Sequence, residues 1–261
     1  MIVAVTKETK ERERRVALVP ESIKMLVKSG FEVLIQSNAG LSSYFDDASF
    51  TDAGAQIISD SKTLYSSADV LLKVNAPSAE EIGWMKPGAI LISFMFAATN
   101  PGLVDACVKQ GISAFSMDAI PRISRAQKMD VLSSQANLAG YKAVILGAAA
   151  LGKIFPLLMT AAGTIKPAKV VIMGACVAGL QAIATAKRLG AVVEAYDVRS
   201  ATREQVKSLG AKFVETGISA DGAGGYAREL TAEEKAKQQE VLDARIAAAD
   251  AVICTAGVPG R

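Results

Sequence analysis

A glycine turn between two apolar runs constrains the fold of this chain more than any other feature of its sequence. Residues 170–173 (VVIM) suit a strand buried on both faces, and GACVAG at 174–179 follows where the chain must turn sharply into a helix. The helical pattern covers 180–189, and a second apolar run, 192–196, ends at Asp197. Strand, turn, helix and strand in this order predict a βαβ unit of a parallel sheet.

Such a turn is typical of dinucleotide sites, in which the pyrophosphate meets the start of the helix. Cys176 replaces the middle glycine of G-x-G-x-x-G, which normally lets the backbone approach the pyrophosphate closely. Asp197 lies about 20 residues beyond the turn, where a carboxylate accepts from the ribose hydroxyls, and this favours NAD(H). Arg199 is a counter-signal, because a cation there could hold a 2′-phosphate. The alternative is a plain structural turn. The turn residues we expect beside the nucleotide are Gly174, Ala175, Cys176, Val177 and Gly179.

Composition excludes several classes of function. The 29 basic and 26 acidic side chains give a net charge of only +3, spread without a basic block, so nucleic-acid binding has no support. The 3 cysteines lie far apart in the sequence, and we expect neither a disulfide framework nor a metal site. The first twenty residues carry too many charges for a secretory signal.

Apolar runs alternate with helical patterns along the whole chain, which predicts an α/β fold. We expect two Rossmann-like, doubly wound domains with mainly parallel sheets, residues 1–134 and 135–261, with a cleft between them. The segment 143–165 is interrupted by Lys153 and Pro156, and we interpret it as a long buried helix rather than a membrane span. The predicted strands are 2–5, 32–36, 70–74, 89–94, 112–116, 170–173, 192–196, 212–214 and 251–254, and the other predicted helices are 20–29, 101–110, 180–189, 202–209 and 231–249.

Two polar segments are candidates for the site at the carboxyl ends of the strands. The first, 121–135, follows a predicted strand at the domain boundary. The second, 218–230, is rich in glycine and contains Tyr226. This second segment predicts either a plain surface loop or a mobile lid whose tyrosine contacts the nucleotide.

The chain contains 0 histidines, although histidine is the commonest acid–base group at neutral pH. It also lacks a G-x-S-x-G elbow and a Walker loop. A hydride transfer between two nicotinamides moves no proton and needs no such group. The sequence is therefore compatible with this reaction.

Three segments together carry a resemblance to a known family: RISRAQKMDVLSSQANLAGYKAV from 122, GACVAGLQAIATAKRLGAVVEAYDVRS from 174 and AGGYAREL from 223. They resemble the NAD(H)-binding domain I, or α subunit, of proton-translocating nicotinamide nucleotide transhydrogenase, over essentially the whole chain. The resemblance implies that a polar loop orients the dihydronicotinamide and contacts the NADP(H)-binding component, and that Tyr226 belongs to a loop closing over the nucleotide. The loop residues are Arg122, Gln127, Asp130 and Ser133.

The same resemblance implies further nucleotide contacts. Ala175, Cys176 and Val177 would follow the pyrophosphate, and Asp197, Val198 and Arg199 the adenosine ribose. Less demanding interpretations stay open, in which Gln127 and Ser133 cap the next helix, Asp130 pairs with a lysine, and Gln238 is a solvated position. The additional contacts that the resemblance implies are Gly225, Gln238 and Gly257.

The resemblance also implies partners and a location. NADP(H) would be bound by domain III, beside the membrane domain II, and the chain would be a homodimer, itself soluble, on the cytoplasmic or matrix face of the inner membrane. Alanine dehydrogenases are related and share the opening pattern seen here at Lys7, Glu8 and 15–20, together with Lys73, but they use a histidine. An amino-acid dehydrogenase and a non-catalytic NAD-binding module are thus alternatives. The ending TAGVPGR predicts a truncated second domain with an unpaired sheet edge.

Overall fold

The computed structural model describes residues 1–218 and 229–257, and the chain divides after Val131 into two compact units. The first unit holds a six-stranded sheet in the order β3-β2-β1-β4-β5-β6, in which every pair is parallel. Its strands are β1 (Ile2–Val5), β2 (Glu32–Gln36), β3 (Gln56–Ile58), β4 (Val70–Asn75), β5 (Ile90–Phe94) and β6 (Ser113–Ser116). Its helices are α1 (Pro20–Lys28), α2 (Asp47–Asp52), α3 (Ser61–Ser67), α4 (Ala79–Gly83) and α5 (Pro101–Gln110).

Helices cover both faces of this sheet. One face packs Ala4, Leu71 and Leu91 against the helical residues Leu64 and Tyr65. The other packs side chains such as Val5 and Ile35 against Ile23 and Phe50. The apolar runs of the sequence form strands because both of their faces are buried in this way.

The second unit holds a four-stranded parallel sheet in the order β11-β10-β9-β12. The order reverses between β9 and β12, which lie side by side, so their carboxyl ends form a switch point. In the described residues β12 is an edge of this sheet. The strands are β9 (Lys169–Met173), β10 (Val192–Tyr196), β11 (Lys212–Phe213) and β12 (Ala251–Cys254), and the helices are α6 (Val131–Ala150), α7 (Val177–Arg188), α8 (Thr202–Ser208) and α9 (Ala232–Ala247).

The prediction of one long buried helix over 143–165 is wrong. Helix α6 ends at Ala150, and an antiparallel hairpin follows, β7 (Leu158–Thr160) with β8 (Gly163–Ile165). The cause is local, because Pro156 has no N–H to continue a helix and Gly163 takes a φ of +139° beside the hairpin turn. Nor is α6 buried throughout, since only Gly140 and Val144 are fully buried.

The α/β class with mainly parallel sheets is confirmed. Many predicted bounds agree within a residue or two, and the predicted capping box of α9 is present between Thr231 and Glu234. Among the described residues, no helix combines the length and apolar character needed to cross a membrane.

Candidate dinucleotide-binding site

The chain turns sharply at Gly174, immediately after β9. Its φ is +93°, a conformation that glycine adopts without strain. Its N–H donates to the carbonyl oxygen of Tyr196 at 2.8 Å, which ties the turn to the end of β10. A methyl group at this position would lie 2.7 Å from the nitrogen of Ala256. The first glycine of the motif is therefore required by the fold itself.

Gly179 is required for a different reason. A methyl group there would lie 1.8 Å from the carbonyl oxygen of Gly174, because α7 starts in backbone contact with the turn. Cys176 differs from both glycines, since its φ of −86° suits any residue. It occupies the N-cap position of α7, where its side chain makes no hydrogen bond to the helix. The first N–H groups of α7 consequently have no side-chain cap, which leaves them suited to an anion.

Thr255, just after β12, braces the turn. Its hydroxyl donates to the carbonyl oxygens of Gly174 at 2.9 Å and Met173 at 3.2 Å. Its backbone N–H also donates to Met173, at 2.8 Å. The sequence did not single out this residue. Its one signal is a hydroxyl at the end of a strand that pairs with β9, and that pairing is known only from the fold.

The Asp197 carboxylate accepts four hydrogen bonds from within the protein. Oδ2 accepts from the Ala175 N–H and from Nη2 of Arg199, both at 2.8 Å. Oδ1 accepts from the backbone N–H of Arg199 at 2.9 Å and from its Nε at 2.8 Å. Burial alone would raise the pKa of Asp197, but the hydrogen bonds from Arg199 and Ala175 outweigh it and the pKa is lowered. The acid is therefore charged, and Arg199 covers it.

The other predicted contacts of the second unit surround this turn unequally. Val198 packs beside Tyr196 in a small apolar cluster below the end of β10. Gln238 is not simply solvated, because its amide donates to the Tyr196 hydroxyl at 2.7 Å. Gly257 is exposed and has no neighbour within 4 Å of an added methyl group. Gly225 and Tyr226 lie outside the described residues.

The predicted polar loop crosses the boundary between the two units. Arg122, Gln127 and Asp130 belong to the first unit, and Ser133 belongs to the second. Gln127 lies in a 3-10 turn, Ser124–Met129, and its carbonyl oxygen accepts from the Asp130 N–H at 3.3 Å. Ser133 lies in the first turn of α6.

The two cations shared with alanine dehydrogenases lie at the carboxyl ends of β1 and β4 in the first unit. Glu13 holds Arg15 by a hydrogen bond of 2.8 Å to Nε and one of 2.7 Å to Nη2, and these bonds lower the pKa of Glu13 to about 2. Lys73 is buried 3.6 Å from Glu81, which also accepts from the Tyr65 hydroxyl at 2.7 Å. A cavity of about 410 Å³ adjoins Lys73. Both cations thus have acidic partners inside the fold.

The metal and thiol chemistry of the described residues is limited. They contain no group of three or more cysteine, aspartate or glutamate side chains placed to hold a metal ion. Cys107, Cys176 and Cys254 are free thiols. Cys176, the half-buried thiol at the start of α7, is part of the turn described above.

Comparison with known proteins agrees with this geometry. Residues 4–139 match the family model described as the alanine dehydrogenase/PNT N-terminal domain, and residues 143–261 match that of the C-terminal domain. The chain belongs to the alanine dehydrogenase/PNT family. The resemblance stated from its sequence is thereby confirmed.

Individual members of the family are similar to this chain to different degrees. An NAD(P) transhydrogenase subunit alpha of Rhodospirillum rubrum is 48% identical, over all of this chain and 70% of that subunit. The crystal structure of transhydrogenase from Sinorhizobium meliloti has a TM-score of 0.88 and 45% identity, covering all of this chain and 71% of that one. Alanine dehydrogenase of Bacillus subtilis is 30% identical, over all of this chain and 64% of that enzyme. Within the alanine dehydrogenase/PNT family, the chain is thus more similar to the transhydrogenase subunits.

Proposed function

We propose that this chain is the NAD(H)-binding component of a proton-translocating NAD(P) transhydrogenase, an enzyme that passes a hydride between NADH and NADP⁺ held on a separate component. One observation carries the proposal, namely the uncapped start of α7 beside the charged Asp197 at the switch point between β9 and β12. The 48% identity to the Rhodospirillum rubrum subunit supports it, compared with 30% to an alanine dehydrogenase.

The adenosine and pyrophosphate end of the nucleotide is assigned to the second unit. The N–H groups of Val177 and Ala178, at the start of α7, would donate to the pyrophosphate, and the helix dipole favours its charge. Asp197 would accept from the ribose hydroxyls. Because a carboxylate has about four acceptor sites and all four are already used, Arg199 must release at least one hydrogen bond when the ribose binds.

The nicotinamide end is assigned to the polar loop and the glycine-rich segment. Arg122, Gln127, Asp130 and Ser133 would orient the dihydronicotinamide and contact the partner component, and Tyr226 would close over the nucleotide. The remaining contacts assigned by resemblance are Val198, Gly225, Gln238 and Gly257.

The reaction asks little chemistry of the protein. A hydride, with both bonding electrons, leaves the dihydronicotinamide of NADH and joins the nicotinamide of NADP⁺, giving NAD⁺ and NADPH without a proton. Orientation of the two rings and exclusion of water are therefore sufficient contributions from the chain. A sequence with 0 histidines can supply both.

A three-arm experiment tests this function. The folded chain, loaded with NADH, is mixed with the NADP(H)-binding component and an NADP⁺ analogue, and hydride exchange is followed by absorbance. We expect exchange only when both components are present. Turnover of NADH with pyruvate and ammonium, without the partner, would instead identify an amino-acid dehydrogenase. NADH binding without either reaction would identify a binding module.

We further propose a homodimer, peripheral to the membrane component on its cytoplasmic or matrix face. Exposed apolar side chains on the β7–β8 hairpin support self-association, with Met159 75% exposed. Introducing a charge by Met159→Glu should convert the dimer to monomer in sedimentation velocity. The matched control Val108→Glu changes a side chain that is 74% exposed on α5 and should leave the dimer intact. A wild-type chain that sediments as a monomer would contradict the dimer.

A further inference from the structure

Helix α6 crosses the start of α7 in direct backbone contact, at a residue that no sequence motif indicated. Gly140 is buried, and a methyl group on it would lie 2.0 Å from the carbonyl oxygen of Ala178 and 2.8 Å from the carbonyl carbon. The glycine therefore directs an α-hydrogen at this oxygen, as in the Cα–H···O contacts common where helices cross closely. Any other residue would force the two helices apart.

The contact lies beside the atoms assigned to the pyrophosphate. Ala178 is the second residue of α7, and its own N–H is among those with no side-chain cap. Gly140 and Ser133 are seven residues apart, so they share one face of α6 and are about 10 Å apart along its axis. An α-helix is stiff over two turns, and the contact at Gly140 contains no rotatable side chain. The position of Ser133 relative to the start of α7 is thus set at Gly140.

We propose that Gly140 is a positioning residue for the bound nucleotide: it fixes the first turn of α6, which bears Ser133, at a set distance from the start of α7. This inference rests on the proposed function, in which the start of α7 holds the pyrophosphate and Ser133 contacts the nicotinamide end. A nucleotide that touches both places then depends on Gly140 more than one that touches α7 alone.

Gly147 provides a matched control on the same helix. It lies seven residues after Gly140, on the same face, and an added methyl group would only reach Cδ1 of Ile253 at 4.0 Å, an ordinary contact. Both Gly→Ala changes favour the helix equally through backbone propensity. The difference between the two variants therefore isolates the contact with Ala178.

The test compares NADH with ADP-ribose, which keeps the adenosine and pyrophosphate but lacks the nicotinamide. For Gly140→Ala we expect the Kd of NADH to rise at least tenfold and the Kd of ADP-ribose less than threefold, by calorimetric titration. Hydride transfer at saturating NADH should fall at least tenfold. Gly147→Ala should leave all three unchanged. Equal weakening of both nucleotides, or no weakening of either, would overturn the proposal.

A measurement on the wild-type chain avoids any variant that fails to fold. Binding of ADP-ribose to the start of α7 should slow hydrogen–deuterium exchange of the amides at 135–140, although no nicotinamide is present. Unchanged exchange at these amides with ADP-ribose bound would overturn the inference about Gly140. If the wild-type chain binds neither ADP-ribose nor NADH, the proposed function itself fails, and the two failures are distinguished.

Discussion

Replacing Asp197 by asparagine removes the charge of this side chain and keeps its shape, so the variant Asp197→Asn tests the centre of the site. The amide retains one oxygen acceptor, and its NH₂ group then faces two donors, the Ala175 N–H and Nη2 of Arg199. Two hydrogen bonds are lost, and the guanidinium loses its counter-charge. Breaking a buried ion pair costs about 3–5 kcal/mol. Since the Arg199 side chain is 24% exposed, we expect a smaller loss of about 2–3 kcal/mol in the free energy of unfolding.

The same replacement should weaken NADH binding by a limited factor. A hydrogen bond to a charged acceptor contributes about 1.5–3 kcal/mol. The ribose must displace a donor of Arg199 to obtain it, so the net difference is expected to be about 1–2 kcal/mol, a factor of roughly 5–30 in Kd. The control Glu215→Gln removes the exposed ion pair with Arg203 and should change the free energy of unfolding by less than about 1 kcal/mol. It should leave the Kd of NADH unchanged.

Acid titration provides an independent measure of the same carboxylate. Because the folded pKa of Asp197 is lowered, its stabilising contribution is present above the unfolded carboxyl pKa of about 3.9 and is lost as the pH falls through the folded value. Urea unfolding of Asp197→Asn should therefore lose less stability between pH 5 and acid than the wild type does. If the variant unfolds like the wild type and binds NADH within twofold of it, our assignment of Asp197 is wrong.

Three further outcomes are expected. Gly179→Ala should abolish NADH binding in a fluorescence titration, because its methyl group would overlap a backbone oxygen, whereas Gly102→Ala, with no neighbour within 4 Å, should not; equal binding by both would contradict the crowding. Saturating NADH should slow alkylation of Cys176 by N-ethylmaleimide at least tenfold in peptide mapping, while buried Cys107 stays unreacted until the chain unfolds; equal rates at Cys176 with and without NADH would remove it from the nucleotide site. Glu13→Gln should lessen the stability that the wild type loses between about pH 4.5 and 2 in urea unfolding, since the folded pKa of Glu13 is about 2, and should not change the Kd of NADH.

Long apolar runs made most of the sheet predictable from the sequence. The strands Ile2–Val5, Glu32–Gln36, Val192–Tyr196 and Ala251–Cys254 coincide with the predicted bounds, because nearly every one pairs on both sides. The hairpin β7–β8 was not predicted. All six of its strand residues are exposed, so no alternation of buried and exposed positions marks it. The same apolar letters therefore fitted a helix equally well.

The site was predictable as a turn but not as a network. The spacing of Gly174, Gly179 and Asp197 is local and follows from one βαβ unit. The brace from Thr255 to Gly174 joins residues 81 apart, and its existence depends on β12 pairing with β9. The crossing at Gly140 likewise depends on how α6 packs, which periodicity does not determine. Contacts of this kind require the fold.

The three glycine positions of the motif are subject to different demands, and this difference explains why one of them tolerates cysteine. At Gly174 the demand is a φ of +93° and the nearby Ala256 nitrogen, and at Gly179 it is the carbonyl oxygen 1.8 Å from an added methyl group. Both demands arise inside the protein, so both act during folding. At Cys176 the φ is −86° and the side chain is only half-buried. A side chain there meets no obstacle in the fold, and only a ligand on the start of α7 would meet it.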